Sequence, residues 1–477
     1  MCHYPRKALA IACFALVSWV GAAIDATNTG ASVLDTLQVD VCVIGGGAAG
    51  TYAAIKAHDM NKTVVVVEMQ ERLGGHTKTY IDPVSKQPIE LGVQEYDNTT
   101  LVENWFARFN ISTYSFNFTI PGVTSEFVDF QSGQIANHTA PLMPAAIEEY
   151  RKQLTQYPSL DYSLDNGSFL VPPDLLLPLG QFISKYGLQG AMPLFGLYGQ
   201  GWGNFVTLPT LYAIKYFTQQ SLQAQTQGSL ATKDNSRLYE RAQTELGAKA
   251  LLSSTVLHMD RSAADFANIT VQTPSGRKLI RARKIISTIP PVLENLRGFD
   301  LNETEIPIFG KFRYHSWYVG LLNNSGIPDN ITLFNYGLKN TENFNLGVLP
   351  AAYDIYTTRV AGLHYFTFGL NDSETQFSQH QVETNIKASV TQMQAKGTLP
   401  KPLPGSANLD MLNFTGHTPY EVQVSSEEIG NGFYNRLFCL QGQRNTYWTG
   451  AAFVTHNSAA IWNYTDKLVN SMWSDGA

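Results

Sequence analysis

The apolar positions change rhythm most clearly near the start of the chain. From Leu37 to Ile44 they read as a strand, and Val41 to Ile44 are apolar without alternation, as a central strand buried on both faces requires. After Gly45-Gly46-Gly47-Ala48-Ala49-Gly50 come Ala53, Ala54, Ile55 and Ala57, a small-residue helix able to pack close to a sheet. Asn61-Lys62 turns the chain into a second apolar strand, Thr63 to Val67, which ends on Glu68. Further on, helical patterns cover Pro144 to Leu154 and Leu176 to Tyr186, set among Pro172-Pro173 and Pro178. An amphipathic helix begins at Arg237 and ends near Gly247. A short strand over Ala250 to Val256 follows, then strands Asn268 to Thr273 and Leu279 to Ile289 around the turn Pro274-Ser275-Gly276. Strands Tyr314 to Leu321 and Ala361 to Phe368, and a helix Glu383 to Met393, come next. The chain closes with a strand and tight turn, Asn445 to Ala452, and an apolar helix bearing Ala459, Ala460, Ile461, Trp462 and Leu468.

Composition narrows this picture. A chain of 477 residues, 44% hydrophobic and 15% charged, is globular and long enough for two or more domains. Its net charge of -6 offers no basic footprint for nucleic acid. Tyr and Phe are plentiful, which first means large cores and ordinary surface tyrosines, with some left to line an apolar substrate cavity. At the N-terminus, Arg6 and Lys7 precede an apolar run from Ala8 to Ala23, broken only by Ser18, and then polar residues. This predicts a secretory signal peptide over 1–23, with an uncleaved anchor as the alternative, and a secreted or lumenal product. No later segment reaches spanning length without charges, so no stable membrane span is expected after cleavage. Asn-x-Ser/Thr sequons agree, for example at Asn98, Asn110, Asn117, Asn137, Asn166, Asn330 and Asn371; Asn61 and Asn463 are expected to go unused, beside a buried strand and on a helix. Outside the signal peptide only Cys42 and Cys439 remain, read as two buried thiols in preference to a disulfide, and nothing has the spacing of a metal site.

Candidate chemistry starts in the first turn. Gly45-x-Gly47-x-x-Gly50 lies between strand and helix in a βαβ unit, the context a dinucleotide fingerprint needs. Gly45 permits the tight turn, Gly47 lets backbone approach a pyrophosphate, and Gly50 allows close helix–strand contact. The helix start supplies N–H donors and positive dipole to phosphates. Glu68, at the end of the second strand, is placed to bind ribose hydroxyls. The bland alternative, a glycine-rich turn that binds nothing, leaves this arrangement unexplained.

Glu71-Arg72-Leu73-Gly74-Gly75-His76-Thr77-Lys78-Thr79 resembles the flavin amine oxidase superfamily, which carries Arg-x-Gly-Gly-Arg-x-x-Ser/Thr after the ribose acid. Arg72, Gly74, Gly75 and Thr79 match; His76 departs, and Gly-Gly-His is similar to a smaller branch that includes the fungal beta-cyclopiazonate dehydrogenase family. The resemblance implies non-covalent FAD, with Arg72 near the phosphates and Gly74 and Gly75 against the cofactor. His76 cannot supply arginine's fixed fork, and a merely packed histidine is its bland reading. Ile89-Glu90-Leu91-Gly92-Val93 matches a turn that passes near the flavin, which makes Gly92 and Val93 contacts by analogy; a strand-end glycine is the alternative. Val256 corresponds to the valine whose backbone meets adenine. Gly450 and Ala451, before a helix that starts near Asn457 and Ser458, match the closing motif at the pyrophosphate and ribityl, and that helix N-terminus would face the isoalloxazine. Asn457 or Ser458 could equally be an ordinary N-cap. Many relatives place a lysine near the flavin; no lysine falls within Tyr314 to Leu321, and Lys311 just before it reads as a surface residue.

The fold implied is α/β: a glutathione-reductase-like FAD-binding Rossmann domain, discontinuous over 37–97, 227–291 and 428–477, with a discontinuous α+β substrate domain over 98–226 and 292–427. In the latter, Gly196 to Asn204 reads as a loop or tight helix crossing ahead of a cavity wall carrying Tyr198 and Trp202. The function implied is hydride removal from a hydrophobic small molecule, a secondary metabolite, with dioxygen as electron acceptor and ring closure as a further step. An amine or polyamine oxidase, a redox-neutral flavin isomerase and a non-catalytic secreted binding protein are the alternatives. No residue is assigned as a catalytic acid or base.

Overall fold

Four consecutive valines, Val64 to Val67, can be buried together only in a strand covered on both faces, and each is at most 3% exposed. The computed structural model that contains them describes residues 35–116, 120–137, 143–157, 160, 170–405 and 407–473. The signal peptide expected over 1–23 and the sequons at Asn117 and Asn166 lie outside these residues.

In chain order the elements that build the site begin with β1 (Asp35–Ile44), α1 (Ala48–Asp59) and β2 (Val64–Val67). They continue with β3 (Thr124–Asp129), β4 (Gln134–Ile135), α2 (Met192–Tyr198), α3 (Thr210–Tyr216) and α4 (Ser236–Leu246). Next come β5 (Ala250–Leu251), β6 (Thr255–Asp260), β7 (Ala267–Thr273) and β8 (Gly276–Ser287). Then follow β9 (Arg313–Asn323), β10 (Ile331–Asn335), β11 (Ala351–Thr357), β12 (Leu363–Gly369), α5 (Gln379–Lys396) and β13 (Asp410–Gln423). Last are α6 (Phe433–Phe438), β14 (Thr446–Trp448) and α7 (Ser458–Ser471).

The strands make two seven-stranded sheets. The first runs β6-β7-β8-β1-β2-β5, with β14 beside β8. Within it β8, β1, β2, β5 and β14 pair in parallel, while β6 and β7 join as an antiparallel ribbon. One face is covered by α1, α4 and α7, whose Ala53, Ala54, Leu238, Ala459 and Trp462 share a core with Val41, Val43, Val64 and Val66. The small residues of α1 let it lie close to the sheet, as the sequence pattern requires. The second sheet runs β13-β9-β12-β11-β10-β3-β4. Helix α5 packs Val382, Ile386, Val390 and Met393 on one of its faces. Parallel strands in the first sheet put the carboxyl ends of β1, β2, β8 and β14 side by side, the edge where open α/β sheets bind ligands. Among the described residues no helix is long and apolar enough to cross a membrane.

Two expectations need correction. The strand expected over Ala250 to Val256 is two strands: Ala250 pairs with Val66, whereas β6 pairs with β7. Ser253 breaks it at φ +48, and the Ser253 and Ser254 amides donate to the carbonyls of Gln70 and Glu68. Cys439 is not a buried thiol in a strand; it follows α6 and is half-buried. Cys42 is sealed in the middle of the first sheet, and burial pushes its thiol up to about 12.

Candidate active site

A cavity of about 690 Å³ opens where those carboxyl ends meet. Its near end is a glycine cradle. Gly45, at φ +96, anchors the turn by donating its amide to Val67 O at 2.9 Å. Gly50 lies behind the turn: a Cβ there would sit 1.8 Å from Gly45 O. A Cβ on Gly47 would meet nothing nearer than Gly75 Cα at 3.7 Å, so its space belongs to the cavity. As the N-cap of α1, Gly47 brings no side chain to the first-turn amides, which leaves that helix start free to receive an anion.

Glu68 stands on the wall at the end of β2. Its Oε2 accepts from the Gly46 amide at 2.6 Å and its Oε1 from the Gln70 amide at 2.7 Å, which fixes the carboxylate. Both oxygens keep a lone pair for a ligand hydroxyl. Glu68→Ala is expected to weaken cofactor binding by about 10- to 100-fold, the worth of a charged hydrogen bond. Flavin content after dialysis against known free FAD measures this, and undiminished content removes Glu68 from the site.

Gly74 and Gly75 sit behind Gly46 and Gly47. The Gly74 amide donates to Gly46 O at 2.8 Å, and a Cβ on Gly75, at φ +53, would come 3.0 Å from Gly47 Cα. Arg72 is not on the wall. Its Nη1 donates to the carbonyls of Leu73 at 3.1 Å and Thr77 at 2.7 Å, and its Nη2 to Gly75 O at 3.1 Å, so its charge ties down the glycine loop from behind. Gly92 is required because a Cβ there would lie 2.1 Å from His76 O. His76, Gly92, Val93, Val256, Gly450 and Ala451 all line the cavity. Asn457 lines it too, and is the N-cap of α7: its Oδ1 accepts from the Ala460 amide at 3.1 Å. Lys311 stays outside, ion-paired with Glu428 at 2.7 Å.

The far end has features that sequence reasoning missed. Tyr96 forms an antiparallel bridge to Leu230, with both amide bonds at 2.8 Å, and its ring stacks on Trp462 in the core. In extended backbone, alternate side chains face opposite ways. Glu95 and Asp97 therefore both face the cavity. The bridge also brings Ser229 beside Glu95, and the Ser229 hydroxyl donates to Glu95 Oε2. Tyr198 bonds the same carboxyl, and Tyr216 from α3 lies close enough to be influenced by its charge. Burial raises the Glu95 carboxyl; the Ser229 and Tyr198 bonds oppose this, and neighbouring Asp97 adds to it. From the second sheet come Trp317, Tyr356, Tyr365 and Thr367, and from β13 Tyr420. Behind them Asp354 accepts from Gln200 Nε2 at 2.5 Å and from the Thr367 hydroxyl, and burial pushes it up to about 7.

The Gly196 to Asn204 stretch is thus partly a wall. Tyr198 lines the cavity, whereas Trp202 is 1% exposed and packs among Phe205, Tyr216 and Phe217. The described lining contains no lysine or arginine. Its histidines are uncharged, because burial, with Arg72 second, draws His76 down to about 4, and burial, with His76 second, draws His456 down to about 3.

A family model described as FAD dependent oxidoreductase matches residues 40–109, the span from the end of β1 through the glycine loops to Phe109. Over 449 residues and 91% of each chain, the sequence is 36% identical to the FAD-dependent oxidoreductase oblC of Cochliobolus heterostrophus. It is 31% identical over 454 residues to beta-cyclopiazonate dehydrogenase of Aspergillus flavus, covering 94% of this chain and 96% of that one. Among solved structures, a fatty acid isomerase from P. acnes that produces CLA superposes with a TM-score of 0.72 at 18% identity, over 91% of this chain and 99% of the other. Putrescine oxidase bound to putrescine gives a TM-score of 0.63 at 14% identity, over 92% and 99%. At such identities the last two establish a shared mixed α/β fold.

Proposed function

The chain belongs to the FAD-dependent oxidoreductases, and from that premise we propose that it removes hydride from a hydrophobic secondary metabolite in a biosynthetic pathway. The cofactor is FAD, and the site fits it. The uncapped start of α1 and the open space over Gly47 suit a pyrophosphate, and Glu68 suits a ribose. Gly45, Gly47, Gly74, Gly75, Gly450 and Ala451 would take the phosphate and ribityl portion without a covalent link, Val256 the adenine end, and His76, Gly92 and Val93 the flavin end. Gly50 and Arg72 would act from behind, by shaping the loops. When bound, the flavin supplies the two-electron acceptor for a hydride from a C–H next to nitrogen, oxygen or an allylic system, and dioxygen carries the electrons onward.

The observation that carries this reading is the chamber beyond Val93. Tyr198, Tyr216, Trp317, Tyr356, Tyr365 and Tyr420 give it aromatic walls, and among the described residues no lysine or arginine lines it to hold an anionic substrate. The walls position an apolar skeleton and exclude water, and Glu95 accepts the proton that leaves the substrate's O–H or N–H as its neighbouring C–H is oxidised. A substrate with its own nucleophile would be held folded for ring closure. The first sheet with its helices would form the FAD-binding domain and the second the substrate domain, with the boundaries given above. The signal peptide reading makes this a secretory-pathway enzyme, and the exposed sequons at Asn98, Asn110, Asn137, Asn330 and Asn371 are the expected glycan sites.

Anaerobic mixing of the yellow holoenzyme with a panel of apolar polyketides, terpenoids and indole alkaloids tests the substrate class. Members of that panel are expected to bleach the flavin, with peroxide appearing when air is admitted. Bleaching by small hydrophilic amines alone would refute the hydrophobic-substrate reading.

A further inference from the structure

Strand β13 contains a backbone conformation that L-residues rarely adopt: Glu421 has φ +43. Such a residue persists where its surroundings hold it, and it points to a constraint worth identifying. Here the Glu421 amide is aimed at a side chain, and its N–H donates to His456 Nε2 at 2.9 Å. His456 lines the cavity immediately before Asn457, the cap of α7.

That one bond settles the state of the ring. A nitrogen that accepts a hydrogen bond carries no proton, so Nε2 is bare. Burial removes the ring's charge, and the nearby His76 and Lys215 oppose it further. An uncharged imidazole with a bare Nε2 carries its proton on Nδ1. The groups around it leave this unchanged. Tyr420 lies 4.2 Å away between ring centres and His76 6.3 Å away, with His417 beyond it at 4.6 Å from His76. Both histidines are drawn down by burial, His417 well below the usual range. Glu421 Oε2 is 3.8 Å from Nε2, too far for the hydrogen bond that a protonated ring would need in exchange for the amide. Burial also raises the Glu421 carboxyl, against the pull of Lys215. Lys215 itself, stacked near the rings of Tyr212 and Tyr434, is lowered by burial.

We propose that His456 is a fixed, uncharged hydrogen-bond donor, through Nδ1–H, to the electron-rich edge of the bound flavin, and that the Glu421 backbone positions it. The inference rests on the FAD site described above and is independent of the substrate. A donor that stays uncharged through the range where ordinary histidines titrate favours the reduced, more electron-rich cofactor, and it adds to the positive end of α7.

The test uses holoenzyme and needs no substrate. In protein labelled with nitrogen-15 histidine, the His456 signal, assigned by its loss in His456→Phe, should report a neutral ring with its proton on Nδ1 throughout the range where ordinary histidines titrate. His456→Phe should retain FAD and reduce the two-electron equilibrium constant about tenfold, which is about 30 mV in midpoint potential. His456→Asn should recover part of that loss through its amide. Glu421→Gln keeps the backbone donor and should leave tautomer and potential unchanged. A proton on Nε2, a titrating ring, or a wild-type potential in FAD-loaded His456→Phe would overturn the inference. If the phenylalanine variant does not hold FAD, the wild-type tautomer and the potential of His456→Asn decide. A substrate panel that fails to bleach the flavin would count against the substrate reading and leave these readouts intact.

Discussion

Gly47→Ala should give a folded protein that purifies without its yellow colour. Gly47 has φ -74 and ψ -161, an extended conformation that alanine adopts without strain. The nearest protein atom to the new Cβ would be Gly75 Cα at 3.7 Å, an ordinary contact. The protein therefore has room for the methyl group, and on the proposed placement of FAD what it would displace is the pyrophosphate at the first amides of α1. Moving a doubly charged group off those donors costs about 3 kcal/mol, or about two orders of magnitude in FAD affinity. The thermal midpoint of the apoprotein should match that of wild-type apoprotein, and added FAD should raise it only in the wild type. Gly50→Ala is the contrasting case. Its Cβ would lie 1.8 Å from Gly45 O, and that turn is held by Val67 O and by the Thr288 hydroxyl, which donates to Ile44 O and Gly45 O. It cannot give way locally, so this variant should lose about 1–3 kcal/mol even without cofactor. Wild-type FAD affinity in Gly47→Ala would show that the cofactor does not cross the start of α1.

The contrast between these glycines also marks what could be read from the sequence. The phosphate end is local: strand, turn, helix, strand and acid follow one another from Leu37 to Glu68, and each step leaves its own pattern. The aromatic end is assembled from Glu95, Tyr198, Tyr216, Trp317, Tyr356, Tyr365 and Tyr420, which come from distant parts of the chain. Trp317, Tyr356, Tyr365 and Tyr420 are grouped by the strand order of the second sheet, where β9 pairs with β13 and β12, both distant in sequence, and Glu95, Tyr198 and Tyr216 join them from outside that sheet. Nothing in a single tyrosine tells whether it faces core or cavity: Tyr198 and Trp202 share one glycine-rich stretch and face different ways. Glu95 and Asp97 did leave a signal, two acids flanking a tyrosine in an extended segment just past Gly92, and it can be read only once Tyr96 is known to enter the core. The same limit holds at Ser253, whose positive φ splits a strand that its neighbours' apolarity had joined. The Arg72 guanidinium is a third example: its charge suggested phosphate, and three of its hydrogen bonds go to carbonyls of its own loop.

Glu95→Gln should slow flavin bleaching by a bound substrate by about 10²- to 10⁴-fold, the usual worth of a positioned proton acceptor, while FAD content stays as in wild type. The amide keeps the size and most of the hydrogen bonding of the acid and cannot take a proton. The pH profile identifies the group. Burial raises the Glu95 carboxyl above the usual range, so the wild-type rate should climb with pH through that raised pKa and then level off. In Glu95→Gln that limb should disappear. The Ser229 hydroxyl and Tyr198 phenol both donate to the charged form, so Ser229→Ala or Tyr198→Phe should move the limb to higher pH. Asp97 disfavours the charged form as a like charge, so Asp97→Asn should move it the other way. Opposite displacements from hydrogen-bond donors and from a like-charged neighbour of one carboxyl are not expected of a residue that only shapes the chamber, since loss of shape would lower the rate equally at every pH. A bleaching rate in Glu95→Gln within a few-fold of wild type, with the limb intact, would assign the proton to another group, and Asp97 would be the next to test.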